Sequence, residues 1–289
     1  MRRSTIENVL LWSSVLLISL LVWALIAVVA KTLVRADTTF GMSNGDSTLS
    51  AQDKKFGRVD VVRVFNTGAP KAWSKMPNRP VVVSFKIPPK SVIHGEWDGF
   101  LRNWFRTAPK NHRAWWAYWH EPVDNFPTKA GQKAYRQAWR HIVKLERQYG
   151  PRNLRSTYIA TRASTLNGAW QTHYAGDKWI DVLAFDGKLH TWDKRYIPAY
   201  KHYAAAMKIA RSHKKPFALA EYGSIVFNQN YKGRAQWMRD TAKWLNKNKA
   251  AFGCWWPQKE SRSGAVQDHR LNDAPSVNAM RWMLKGAWQ

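Results

Sequence analysis

The chain has 289 residues, 45% of them apolar, which suits a single α/β barrel with a leader better than two small domains because no linker-like stretch interrupts residues 55–289. A lone cysteine, Cys254, excludes an intrachain disulfide and a thiolate metal cluster, and its Phe-Gly-Cys-Trp-Trp setting reads as a core thiol. The formal charge of +27 concentrates anions, yet the basic residues are dispersed and no nucleic-acid module is present, so the expected partner is an anionic envelope polymer or membrane surface, with plain solubility as the alternative.

In chain order, Met1-Arg2-Arg3 precedes an uncharged, mostly apolar run from Val9 to Ala30 that is long enough to span a bilayer. Residues 1–36 therefore read as a membrane anchor, or as an export signal cleaved after Val34-Arg35-Ala36. Either form exposes residues 37–289 outside the cell, as a membrane-tethered or secreted domain. Eight short apolar or β-branched runs follow: 38–42, 59–65, 80–85, 114–120, 156–161, 180–185, 217–220 and 252–256. Helical spacing separates several of them, as at 131–149, 197–213 and 232–248. Phe100, Trp104 and Phe105 share one such spacing and are expected in the core. Strand–helix alternation implies a parallel sheet, and eight strands in this length fit a (β/α)8 TIM barrel. No dinucleotide-binding glycine pattern, P-loop or nucleophile elbow supports a doubly wound alternative.

Barrel chemistry sits at the carboxyl ends of the strands. Read in order, those ends carry Asn66, Lys86, His120 with Glu121, Arg162, Asp186, Glu221 with Tyr222, and Trp256. The chain has only six Glu, and two of them end apolar runs about a hundred residues apart. A buried carboxylate is costly unless paired or used. Two carboxylates facing one cleft are the equipment of a glycoside hydrolase, although paired structural salt bridges would also place Glu there.

The stretch Trp119-His120-Glu121-Pro122-Val123-Asp124-Asn125 resembles the fourth-strand motif of glycoside hydrolase family 26, where a His-Glu pair followed by Asn carries the acid/base. Ala220-Glu221-Tyr222-Gly223 is similar to the seventh-strand motif that holds the nucleophile, and 180–187 is similar to the sixth strand. Pro122 stands where the family often has Met, which leaves the substrate open. The resemblance, over residues 38–260, implies a retaining endo-β-glycanase acting on a polysaccharide such as mannan, mixed-linkage glucan, xylan or an envelope polymer. A catalytically inactive barrel that binds an anionic envelope polysaccharide as a scaffold is the alternative.

On this reading Glu121 is the acid/base, raised by neighbouring Trp119 and Trp116 and by the charge of Glu221, the nucleophile. Glu221 then needs a cation beside it, and Arg63 amid apolar residues is the expected one, unless it points outward. His120 contacts substrate or nucleophile, or is a neutral core histidine. Asp186 binds a sugar hydroxyl or caps a turn, and Asn125 positions substrate or ends the strand. Trp256 and Trp170 are expected to stack on sugar rings. No cofactor is expected. Nor is a metal, since His120-Glu121 adjacency is not a ligand spacing.

Overall fold

The computed structural model describes residues 38–43 and 48–286. The anchor or signal expected in residues 1–36, including the run 9–30, lies outside the described residues. Among the described residues no helix is long and apolar enough to cross a membrane.

Eight parallel strands close a barrel in chain order: β1 (Thr39–Ser43), β2 (Val61–Phe65), β3 (Val81–Phe85), β4 (Ala114–Tyr118), β5 (Leu154–Thr161), β6 (Val182–Leu189), β7 (Phe217–Ser224) and β8 (Phe252–Trp255). β8 returns to pair with β1, Gly41 lying opposite Cys254. A Cβ at Gly41 would sit 1.7 Å from the carbonyl oxygen of Val61, so any side chain there would force β1 and β2 apart. The outer ring includes α1 (Leu49–Phe56), α2 (Pro89–Ile93), α3 (Asp98–Arg106), α4 (Lys129–Tyr149), α5 (Arg162–Asn167), α6 (Ala199–His202), α7 (Ala204–Ser212), α8 (Tyr231–Lys247) and α9 (Ala274–Leu284). A two-stranded hairpin, β9 (Lys259–Arg262) and β10 (Ala265–Asp268), follows the last barrel strand.

Helix limits follow capping chemistry. Thr128 accepts from Gly131 N at 3.1 Å to start α4, and Asn230 accepts from Gly233 N at 2.8 Å to start α8. α4 buries Tyr135, Trp139, Ile142 and Val143 on one face, a stripe at the three-to-four-residue spacing of an amphipathic helix. α3 buries Trp104 and Phe105, but Phe100 is exposed and meets Trp97 edge-on; the spacing that predicted all three in the core misplaced one.

Strand alternation divides the core in two. One cluster joins the outward strand residues to the helices. The other contains strand residues and no helical ones, among them Val61, Val82, Trp115, Ala117, Ile159, Ala218 and Cys254, and so fills the barrel lumen. Trp115 of β4 reaches Phe252 of β8 across that lumen, ring centroids 4.8 Å apart. The alanines and Gly41 leave room for these two large rings. Two strand ends differ from the sequence reading. β4 stops at Tyr118, so Glu121 lies in the following loop, whereas β6 and β7 run on past Phe185 and Ala220, so Asp186 and Glu221 lie within strands.

Candidate active site

Glu221 faces the lumen because of an irregularity that no alternation rule supplies. Phe217 and Leu219 point outward while Ala218 and Ala220 point inward. Continued, this would turn Glu221 out and Tyr222 in, yet Tyr222 packs in the outer cluster. The β6–β7 register slips between Phe185 and Asp186: Leu219 lies opposite Phe185 and Glu221 opposite Asp186, leaving Ala220 as the extra residue. A bulge of this kind re-aims the side chain that follows it. Plain alternation from 217 would expect Glu221 on one face with Phe217 and Leu219, and the bulge overturns that expectation.

Glu121 reaches the same mouth by a different device. Trp119 and Glu121 both have left-handed backbone, φ 47° and 52°. Such a conformation is strained for non-glycine residues and persists only where neighbours enforce it. Here Trp119 N donates to Phe85 O at 2.9 Å, Trp119 Nε1 to Ile87 O at 2.8 Å, and Glu121 N to Ile159 O at 3.0 Å. Asn125, exposed, donates from Nδ2 to Glu121 O at 3.0 Å. It therefore braces the loop that carries Glu121.

Lys188, two residues beyond Asp186 on β6, joins the pieces. Its Nζ lies 2.8 Å from Glu221 Oε2 and 4.3 Å from the ring centroid of Trp256. Burial alone would push the Lys188 ammonium down, but the charge and hydrogen bond of Glu221, with Asp186 beside them, outweigh it and raise its pKa. The expected cation partner of Glu221 was Arg63; Lys188 takes that place. Arg63 is fully buried. It donates from Nη1 to Val64 O at 3.2 Å and Val82 O at 3.4 Å, its guanidinium lies 4.1 Å from the Phe65 ring centroid, and Nε and Nη2 have no partner.

Burial and then the negative charge of Glu221 push the Glu121 carboxyl up, partly offset by Lys188, Asp186 and Arg262. Trp116 takes no part in this: it stacks between Phe85 and Trp139 on the outer side of the barrel, correcting the expectation that it would surround Glu121. Asp186, 4% exposed, is pushed well up by burial and by the charges of Glu221 and Glu121, and neither of its oxygens has a partner at hydrogen-bond geometry. It lies close enough to Glu121 to favour that group's ionised form. His120 is held down to about 2 by burial and by Arg63, Lys86 and Lys188, so it is neutral at any working pH. Its ring meets Phe65 edge-on at 5.4 Å, and its Nδ1 has no partner. Trp256 is partly buried at the same mouth, 5.8 Å from Phe65, with an unpartnered Nε1. Trp170 is elsewhere: 4% exposed, it packs edge-on against Tyr174 and His213 and offers no open face to a sugar. Among the described residues no group of three or more His, Cys, Asp or Glu is arranged to hold a metal ion.

Two contributors escaped the sequence reading. Lys188 was legible in principle, since Asp186, Lys188 and His190 alternate onto one face once β6 is extended. Arg262 comes from the hairpin after the barrel. Its signal was the Ser263-Gly264 turn, both residues at positive φ as a two-residue hairpin requires.

No protein-family model matches the chain, and no curated protein matches it. Solved structures share its fold. A family 26 β-mannanase from Bacteroides ovatus superposes with TM-score 0.54 at 16% identity, covering 88% of this chain and 89% of the other. A modular endo-β-1,4-mannanase of the same family from Cellulomonas fimi gives 0.56 at 13% identity, over 89% of this chain and 72% of the other. A family 128 endo-β-1,3-glucanase from Amycolatopsis mediterranei, in complex with laminaritriose, gives 0.55 at 12% identity, over 85% and 99%. The chain thus shares the closed parallel barrel of these structures, family 26 β-mannanases among them.

Proposed function

We propose that the barrel is a retaining endo-β-glycanase with Glu221 as nucleophile and Glu121 as acid/base. The supporting observation is that one carboxylate is paired with a buried ammonium while a second, raised by burial and by the charge of the first, approaches it from the facing loop. In the first step a Glu221 oxygen attacks the anomeric carbon as the glycosidic bond breaks, and Glu121 gives its proton to the leaving oxygen. In the second, Glu121 takes a proton from water, which displaces Glu221 and regenerates both groups. Neutral His120 and the half-buried Trp256 border the mouth, where a sugar ring would meet a hydrogen-bonding edge and an aromatic face. The backbone brace from Asn125 keeps Glu121 in place.

The substrate class is a β-linked polysaccharide. The test is to offer mannan, mixed-linkage glucan, xylan and acidic glycans to the purified protein and measure released reducing ends. Glu121→Ala should lose activity on polysaccharide yet retain most of it on aryl glycosides with good leaving groups, which need no acid in the first step. Equal loss on both would remove Glu121 from the acid role. Delivery to the cell envelope through residues 9–30 belongs to the same proposal, motivated by the uncharged apolar run there; recovery of the full chain from the cytosolic fraction of its host would refute it.

A further inference from the structure

Glu121 and Asp186 line a pocket of about 150 Å³ together with Arg162, Lys188, His190, Trp192, Asp193 and Arg262. Three of these are cations, and they are not equally occupied. Lys188 is committed to Glu221. Arg162 spends only Nε, on His202 O at 2.9 Å. Arg262 is exposed at the end of β9, close enough to act on the charges of both Glu121 and His190. Opposing them are Asp193 and the Glu121 and Asp186 carboxyls, the latter two pushed toward their neutral forms. Among the described residues Arg162 and Arg262 form no ion pair with a carboxylate, so their guanidinium groups are the cations the pocket has to offer.

The aromatic part of the lining, Trp192 with His190, is firmly held. Trp192 is 49% exposed, with the His190 ring 4.3 Å from it and tilted by 33°. The turn that carries it is fixed at both ends. Asp193 Oδ2 accepts from His190 N at 2.7 Å, and Gln267 of β10 both accepts from Thr191 N and donates to Thr191 Oγ1, each at 2.9 Å. An exposed tryptophan on a braced turn is a platform rather than an unpacked core residue. The same hairpin supplies Gln267 to the brace and Arg262 to the pocket, so the platform and one cation share a support.

We propose that this pocket is a subsite for a sugar bearing an anionic substituent, with Trp192 under the apolar C–H face of the ring and Arg162 and Arg262 on its carboxylate or sulfate. Guanidinium groups present paired donors that match the two oxygens of such an anion. The glycan entering the cleft is accordingly acidic, and the field of the basic chain raises its local concentration. The assignment of a substrate rests on Glu121 and Glu221 as the reacting pair; the recognition itself does not.

The experiment is calorimetric titration of the intact protein with hexamers of a β-1,4-glucuronan, a sulfated β-mannan and a neutral β-mannan, with reducing ends measured on the same samples. At least one acidic hexamer should bind about ten-fold or more tightly than the neutral one, and the preferred acid identifies carboxylate or sulfate as the anion. Arg162→Gln and Arg262→Gln should each shrink that preference by about five-fold, and Trp192→Ala should weaken acidic and neutral hexamers alike. Lys144→Gln, on the exposed side of α4 and outside the pocket, should leave the preference unchanged, separating a local subsite from the general field. Equal affinity for acidic and neutral chains would overturn the inference, as would a loss in Lys144→Gln matching that in Arg262→Gln. Selective acidic binding without cleavage of any glycan would uphold the subsite and sink the hydrolase reading; cleavage of neutral mannan with no acidic preference would do the reverse.

Discussion

Two arginines are buried almost equally in this protein and treated in opposite ways. Arg234 of α8 is 2% exposed and saturated: its guanidinium donates to Ser276 Oγ at 2.8 Å, Arg270 O at 3.1 Å and Ser224 O at 3.4 Å, and pairs with Asp273. Arg63, fully buried in the barrel mouth, reaches two backbone carbonyls at 3.2 and 3.4 Å and leaves Nε and Nη2 with nothing. The first is a strut joining α8 to the segment before α9. The second belongs to a cluster whose other members, Asp186, His120 and Trp256, also hold unpartnered buried atoms. Buried polar groups are normally satisfied, so leaving these without partners at the carboxyl ends of the barrel strands costs stability. Below them the lumen is apolar and tightly filled around Trp115. One barrel thus carries a layer that stabilises and a layer that costs stability.

The comparison makes the two layers separable by mutation. The largest effect expected is on turnover in the open layer: Glu221→Ala should lower kcat by about 10⁴-fold or more, with the fold retained because Asp186 lies beside Lys188 to receive its charge. Circular dichroism and reducing-end assays on the same preparation check both halves; surviving hydrolysis would remove Glu221 from the nucleophile role. Next, Arg234→Met should destabilise by about 3–5 kcal/mol in urea titration, because it leaves Asp273 without its partner. A loss below about 1 kcal/mol would show that the saturated network is not a strut.

Third comes a buried carboxylate outside both networks. Glu146 of α4 is pushed up to about 7 by burial and by the charge of Asp181. Its pKa in the unfolded chain is about 4.3, so between these values the folded state binds more protons and stability falls as pH rises. The stabilisation is complete below the unfolded pKa and lost as pH passes through 7. Glu146→Gln should therefore be more stable than the parent at pH 8 by about 3 kcal/mol, and near parity at pH 4. Parallel melting curves at both pH values measure this, and a pH-independent difference would contradict it. The smallest expected effect is Arg63→Met, which should change stability by less than about 1 kcal/mol, since an apolar side chain of similar length replaces an arginine that was poorly satisfied, while kcat/KM drops. A loss as large as that in Arg234→Met would erase the contrast between the two arginines.

Much of this was legible before any coordinates. The eight strands appear as apolar runs because a parallel barrel buries both faces of each strand, so hydrophobic content alone marks them. Glu121 and Glu221 stood out because carboxylates are rare in this chain and costly in such runs. What stayed hidden depends on register. The bulge at Ala220 that turns Glu221 inward is set by pairing with β6, which no property of 217–224 alone reveals. Lys188 was missed because the β6 run was ended at Phe185, where apolar residues give way to Asp-Gly-Lys. Trp170 misled in the other direction: a tryptophan in a polar stretch looks exposed, but the packing of Tyr174 and His213 around it is tertiary.

The measurement that bears most directly on the central claim is covalent trapping. A 2-deoxy-2-fluoro glycoside of the sugar identified by the reducing-end screen slows both proposed steps, and a reactive leaving group lets the first outrun the second. Peptide mapping by mass spectrometry should then find the fluorosugar as an ester on Glu221, with none in the Lys188→Met protein beyond a small fraction of the parent level. A label on another residue, or none from an analogue whose parent sugar is turned over, would contradict the assignment of Glu221 and Glu121 to a retaining mechanism.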